Sequence, residues 1–84
     1  MNMEYKIFLG TMISIKQGFM KGPFKLMYCG MPNENTFALS PFLAKGYQGF
    51  SPNIYYNLNS TVIQVFDKTF DVLEVAPEYV ILGD

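Results

Sequence analysis

The sequence predicts a small all-β domain, a barrel or partly open roll of about six or seven short strands, of SH3-like or OB-like size, with at most one short helical turn. Three observations favour this fold. Apolar and polar residues alternate with the period of two that is typical of a half-buried strand. Gly, Pro and Asn interrupt these runs at short intervals, as turn residues do. The chain is also rich in strand-forming aromatic residues, with eight Phe and six Tyr.

The first predicted strand runs from Tyr5 to Ile15, and Gly10 lies in its middle. A glycine inside a strand indicates a bulge or bend, by which one strand can serve two sides of a small barrel. Alternation places Leu9 on the same face as the isoleucines of this strand. The next strand is predicted over Phe24 to Cys29, with Phe24, Leu26 and Tyr28 on its core face.

The middle of the chain predicts a hairpin and then a break. Turn residues cluster from Gly30 to Asn35, and a short strand is expected from Thr36 to Leu39, which gives a hairpin loop of about five or six residues. After it, Ser40 suits a helix cap, Pro41 a first helical position and Gly46 a helix end. The sequence therefore predicts a single helical turn here.

Four further strands are predicted. Ile54 to Leu58 is the first, with one of the adjacent tyrosines Tyr55 and Tyr56 facing inward and the other outward. Thr61 to Phe66 and Thr69 to Val75 are predicted to form a hairpin, although the apolar spacing in this region also allows a helix. Tyr79 to Leu82 is expected to be a short edge strand, because Pro77 comes shortly before it.

The segment from Ser40 to Asn53, SPFLAKGYQGFSPN, breaks the strand pattern and yet keeps its aromatic residues. It predicts a crossover between two halves of the sheet that also serves as a contact surface, because it mixes apolar and polar groups as interfaces do. The alternative is that Phe42 and Phe50 cap the open end of a barrel. The candidate binding residues are Phe42, Lys45, Tyr47, Gln48, Phe50 and Asn53.

Composition indicates one domain over residues 1–84 that binds protein. Half of the residues are hydrophobic and 15% are charged. So small a domain cannot bury that much apolar surface, which favours self-association over a monomer with scattered exposed residues. The net charge is −1 and there is no Arg, so nucleic acid is an unlikely partner. A weaker alternative is a surface that binds single-stranded nucleic acid, with lysines contacting phosphates and aromatic rings stacking on bases. Its candidate residues are Lys16, Phe19, Lys21, Phe24, Lys25 and Tyr28.

The residues present argue against an enzyme. There is no His and one cysteine, Cys29, so the usual base, nucleophile pair and zinc ligands are missing and no cofactor or metal is expected. A lone cysteine excludes an intrachain disulfide and favours a reducing, cytoplasmic location. The longest apolar run is too short to span a membrane.

The sequence thus predicts a non-enzymatic binding protein that acts through contacts with another protein or with its own copies. A small accessory inhibitor from a phage or mobile element fits this description. The alternative is an oligomer that holds an anionic small ligand, such as a nucleotide, at a subunit interface through Lys45 and the aromatic rings of its segment.

Overall fold

The structure is a computed structural model that describes residues 3–16, 24–43, 53–66 and 68–84. In these ranges the chain forms eight strands and no helix, which confirms the all-β prediction. The strands are β1 (Glu4–Phe8), β2 (Met12–Ile15), β3 (Phe24–Asn33), β4 (Thr36–Leu43), β5 (Ile54–Asn57), β6 (Val62–Val65), β7 (Lys68–Val75) and β8 (Tyr79–Gly83).

The strands form two antiparallel four-stranded sheets, with the orders β1-β8-β7-β6 and β2-β3-β4-β5. We call them the acidic sheet and the β2–β5 sheet, because the first carries most of the carboxylates. Their buried side chains join in one core, so the sheets pack face to face. The smallest extent of the molecule, 17 Å, fits two layers about 10 Å apart. The pairings of the described strands keep the sheets separate, so closure into a barrel is not confirmed.

The core takes alternate residues from both sheets. Its fully buried large side chains include Tyr28, Phe24 and Phe37 of the β2–β5 sheet and Phe70 of the acidic sheet. The Tyr28 hydroxyl donates a hydrogen bond to the carbonyl oxygen of Ala76 at 2.6 Å. The prediction that Phe24, Leu26 and Tyr28 face the core is therefore confirmed, and the buried hydroxyl has the partner that such a group requires.

The predicted first strand is two strands, which raises the number to eight. β1 belongs to the acidic sheet and β2 to the β2–β5 sheet, and the chain changes sheet in a turn around Gly10, as the glycine predicted. The Thr11 amide donates to the Phe8 carbonyl at 3.0 Å. Gly10 has a φ of 79° and Leu9 does not have a positive φ, which defines a type II turn with glycine at its third position.

This turn is tied to both sheets, because the amide of Leu9 donates to Glu78 and that of Gly10 to Tyr28. The prediction that Leu9 shares a face with Ile7 and Ile15 is wrong, since both isoleucines are buried. The Leu9 side chain is 53% exposed, because the turn interrupts the alternation between β1 and β2.

The β3–β4 hairpin is tighter than predicted. β3 extends to Asn33 and β4 begins at Thr36, so the loop has two residues rather than five or six. Gly30 lies within β3, and the pairing with β4 shifts register on both sides of it. The helical turn predicted from Ser40 is wrong over the described residues 40–43, which continue β4. Pro41 is accommodated because the described pairing of β5 with β4 ends at Leu39, before the proline.

The predicted crossover role of Ser40 to Asn53 is also wrong. β4 and β5 are antiparallel neighbours in one sheet, so this segment joins adjacent strands. The chain crosses between sheets at two other places, around Gly10 and between β5 and β6. Alternation of apolar and polar residues shows where strands lie but not which strands pair. The position of the crossover was therefore predicted wrongly from the sequence.

The strands near the C-terminal end of the sequence bear out one prediction and correct another. β6 and β7 form the predicted hairpin, with Val65 opposite Lys68, and the helical alternative is excluded. Phe66 has a φ of 54° in this turn, the left-handed value that two-residue hairpin turns use. β8 is a central strand between β1 and β7, so the prediction of an edge strand is wrong.

Candidate functional site

Of the six predicted binding residues, the structure describes Phe42 and Asn53. Phe42 is half-buried near the end of β4, opposite Lys25. Asn53 is exposed just before β5, and its side-chain oxygen lies 3.5 Å from the Cys29 thiol. Both residues belong to the face of the β2–β5 sheet that points away from the core. Lys45, Tyr47, Gln48 and Phe50 lie outside the described residues.

We call this surface the outer face. The strand registers place directly opposed residues on the same side of the sheet, and the residues between the core positions define the outer face. Its described members are Met12, Ser14, Lys25, Met27, Cys29, Asn33, Thr36, Ala38, Ser40, Phe42, Asn53, Tyr55 and Asn57. Lys25 is the one charged residue among them. The side chains of Met12 and Tyr55 are 51% and 59% exposed, whereas Ala38 and Ser40 are 2% and 1% exposed.

The outer face is unusual for an antiparallel sheet, which commonly carries polar residues on its solvent side. The opposite surface of the molecule follows this rule: the outward side of the acidic sheet carries Glu4, Lys6, Asp71 and Glu74. There the Lys6 ammonium lies 4.4 Å from the centre of the Tyr79 ring. The two broad surfaces of the sandwich therefore differ sharply in charge.

The tyrosine pair of β5 divides as predicted. Tyr56 is half-buried and its ring stacks on Phe37 with centroids 5.4 Å apart, and burial raises its pKa. Tyr55 points outward and has the greatest exposure of the large apolar side chains described. Tyr55 was not among the predicted site residues, although the outward position of one tyrosine was expected.

Cys29 gives the outer face its one thiol. It is half-buried, and burial raises its pKa. Because the thiolate is the reactive form, this shift makes the thiol less nucleophilic at neutral pH. No group of three or more potential metal ligands occurs among the described residues. The described part of the chain also has no helix with the length and hydrophobicity needed to cross a membrane.

A cavity of about 320 Å³ is lined by residues from both parts of the sandwich: Met3, Tyr5, Ser14, Lys16, Lys68 and Asp84. The Asp84 carboxylate accepts hydrogen bonds from Lys68 at 3.1 Å, from the Tyr5 hydroxyl at 3.0 Å and from the Met3 amide at 3.1 Å. The Lys68 hydrogen bond and then the Met3 amide lower the pKa of Asp84. The cavity thus already contains an internal anion beside one of its two lysines.

The two described aromatic residues of the predicted nucleic-acid surface, Phe24 and Tyr28, are not available for stacking on bases. Phe24 and Tyr28 are both 0% exposed, so their faces pack within the core. Lys25 lies on the outer face, and Phe19 and Lys21 are outside the described residues.

Comparison of the chain with protein-family models, with curated proteins and with solved structures found no match.

Proposed function

We propose that the chain is a non-enzymatic binding domain that acts through protein–protein contacts, and that the outer face is its contact surface. The observation that carries this proposal is that Lys25 is the one charge among the described residues of that face. Large apolar side chains that stay exposed on one face of a small domain, as Met12 and Tyr55 do, can mark an interaction site. Met12, Met27 and Tyr55 belong to the residue types that enrich interface cores.

The shape and charge of this face indicate the kind of partner. A sheet presents a broad surface rather than a closed cavity, which suits another protein surface better than a small molecule. Lys25 within it, and Lys16 beyond the end of β2, provide positive charge. We therefore propose a partner with an apolar contact area and acidic residues around it.

A domain of this kind acts by covering its partner's surface. The predicted role as a small accessory inhibitor from a phage or mobile element belongs to this proposal. Self-association is its second part, since 15% charge leaves one small domain with apolar surface to cover. Binding of an anionic ligand through Lys45 remains an alternative; in the cavity, Asp84 already neutralises Lys68.

The test uses a charge placed on the most exposed of the described apolar side chains of the outer face, on its edge strand β5. Tyr55→Asp changes an exposed side chain, so the fold is expected to survive while the partner is lost, because the new carboxylate would be buried without a counter-charge. Thr69→Asp adds the same charge to the outward side of the acidic sheet and is the matched control. Each tagged variant is used to capture proteins from the native host, and the captured partner is then purified and titrated.

We expect Tyr55→Asp to weaken binding of the purified partner at least about tenfold, while Thr69→Asp binds like the unmodified chain. Equal binding by Tyr55→Asp would show that the outer face is not the contact surface. Equal weakening by both variants would attribute the effect to net charge. Circular dichroism and thermal melting of both variants establish that each is folded.

A further inference from the structure

The two described strands β5 and β6 contain no charged residue. The whole stretch from Gly46 to Phe66 lacks Lys, Asp and Glu. Its described part contains both strands, which are edge strands of different sheets. They lie on the same side of the molecule, since the Tyr56 hydroxyl of β5 donates to the Gln64 carbonyl of β6 at 3.4 Å.

Exposed edge strands are normally protected by charges, because their free backbone groups can pair with another chain. β1, the opposite edge of the acidic sheet, follows this rule, with Glu4 and Lys6 within its five residues. β6 has neither a charge nor a proline. Within β6, Val62 is 52% exposed, and Phe66 in the following turn is 42% exposed.

The hydrogen-bond pattern shows which groups of β6 face outward. The Val72 amide donates to the Thr61 carbonyl at 2.8 Å, and these two residues continue the β6–β7 register. Hydrogen-bonded and non-hydrogen-bonded pairs alternate in an antiparallel ladder. The backbone groups of Val62 and Gln64 therefore point away from β7, which agrees with the contact between Tyr56 and the Gln64 carbonyl.

We propose that β6 pairs antiparallel with β6 of a second copy of this chain, around a twofold axis at Ile63. In this register Val62 of one copy lies opposite Gln64 of the other, so the outward N–H and C=O groups of both residues pair across the axis. The Gln64 carbonyl, which accepts from the Tyr56 hydroxyl, has a second lone pair for the Val62 amide of the other copy. The two acidic sheets then form one continuous sheet. This inference rests on the self-association part of the proposed function, but not on the outer face.

A second copy fits this edge better than it fits the edge strand β1. In a symmetric antiparallel pair around Ile63, Val62 faces Gln64 and Thr61 faces Val65, so the contact removes no charged side chain from water. Thr61 to Phe66 contains no charge, whereas a pair through β1 would have to desolvate Glu4 and Lys6.

The first experiment places a proline at Val62. Its N–H faces away from β7, so proline removes a donor to the second copy and no hydrogen bond within the chain. Val62→Lys is the second variant, which keeps the N–H and adds a charge at the axis. Glu4→Pro on β1 is the matched control, because Tyr5 and Leu82 are in the hydrogen-bonded positions of the β1–β8 ladder and Glu4 faces the free edge.

Sedimentation velocity from about 1 µM to about 1 mM covers the range in which a short edge contact associates. We expect a monomer–dimer equilibrium for the unmodified chain and for Glu4→Pro. We expect Val62→Pro and Val62→Lys to raise the dimer dissociation constant at least about tenfold while remaining folded by circular dichroism. A monomer throughout, or a dimer unaffected by Val62→Lys, overturns the proposal.

The second experiment tests the register in a Cys29→Ser background. A mixture of Val62→Cys chains and Gln64→Cys chains is expected to form a mixed disulfide, because residues at hydrogen-bonded positions have Cα atoms about 5.5 Å apart. Either variant alone is expected to cross-link much less. Equal cross-linking in all three samples overturns the register.

These results separate the two proposals. If Val62→Lys abolishes the dimer and the purified partner still binds, the edge and the outer face act independently. If the chain is a monomer but binds a strand of a different protein through β6, the second copy is the wrong occupant. Binding of the partner that Tyr55→Asp weakens and Val62→Lys leaves unchanged supports the outer face, whatever the oligomeric state.

Discussion

The turn that carries the chain from one sheet to the other can be tested with one substitution, Gly10→Ala. Gly10 has a φ of 79° and occupies the third position of a type II turn, where glycine is favoured because other residues resist a positive φ. A Cβ built at this position meets no atom within 4 Å. Alanine therefore changes the backbone energy without creating a clash.

The expected loss of stability therefore comes from the backbone conformation alone. The left-handed backbone costs an ordinary L-residue roughly 1–2 kcal/mol. For a domain of this size, each kcal/mol lowers the Tm by about 4–8 °C. Gly10→Ala is therefore expected to lower the Tm by roughly 4–16 °C, with the strands otherwise intact.

The assay is thermal unfolding followed by circular dichroism, with Gly10→Asn as the control. Asparagine adopts the left-handed conformation more readily than alanine and is accepted at this turn position, so it should lose clearly less stability. The reasoning fails if alanine leaves the Tm unchanged. It also fails if asparagine costs as much as alanine, since the loss would then come from side-chain size rather than from backbone conformation.

Two further predictions concern single hydrogen-bonding groups. Tyr28→Phe removes the buried hydroxyl that donates to Ala76 and is expected to cost roughly 1–2 kcal/mol in urea unfolding; an unchanged midpoint would show that this bond adds nothing. Asp84→Asn removes the ion pair with Lys68. Because the pKa of Asp84 is lowered in the folded chain, its stabilisation is present above the unfolded value of about 3.9 and is lost as the pH falls through the folded value. The variant should therefore be less stable at neutral pH and converge with the unmodified chain in acid; a gap that persists in strong acid would contradict this.

Short-range features of the fold could be predicted from the sequence because they depend on residues close together in the chain. Alternation placed Phe24, Leu26 and Tyr28 in the core, and all are buried. Gly10 predicted the bend between β1 and β2. Where the local rule was broken, as at Leu9, the turn itself explains the error.

The residues of the candidate site could be predicted only in part from the sequence. Phe42 was chosen because it lies in an irregular aromatic segment, and the structure places it on the outer face. Met12, Met27 and Tyr55 share that face but come from three strands, and none stood out singly. The signal was present as a lack of charge at the outward positions, but it is visible only once the strands are aligned.

The sequence by itself determined that this is an all-β chain, where most strands lie and which side chains they bury, because the period of two is a property of each strand alone. The tertiary structure decided the pairing: β1 joins β8, β8 is central, and Ser40 to Asn53 connects neighbours. Pairing depends on hydrogen bonds and packing between residues far apart in the chain, which leave no periodic trace. For the same reason, the charge-free β6 edge became a candidate interface only when the strand order was known.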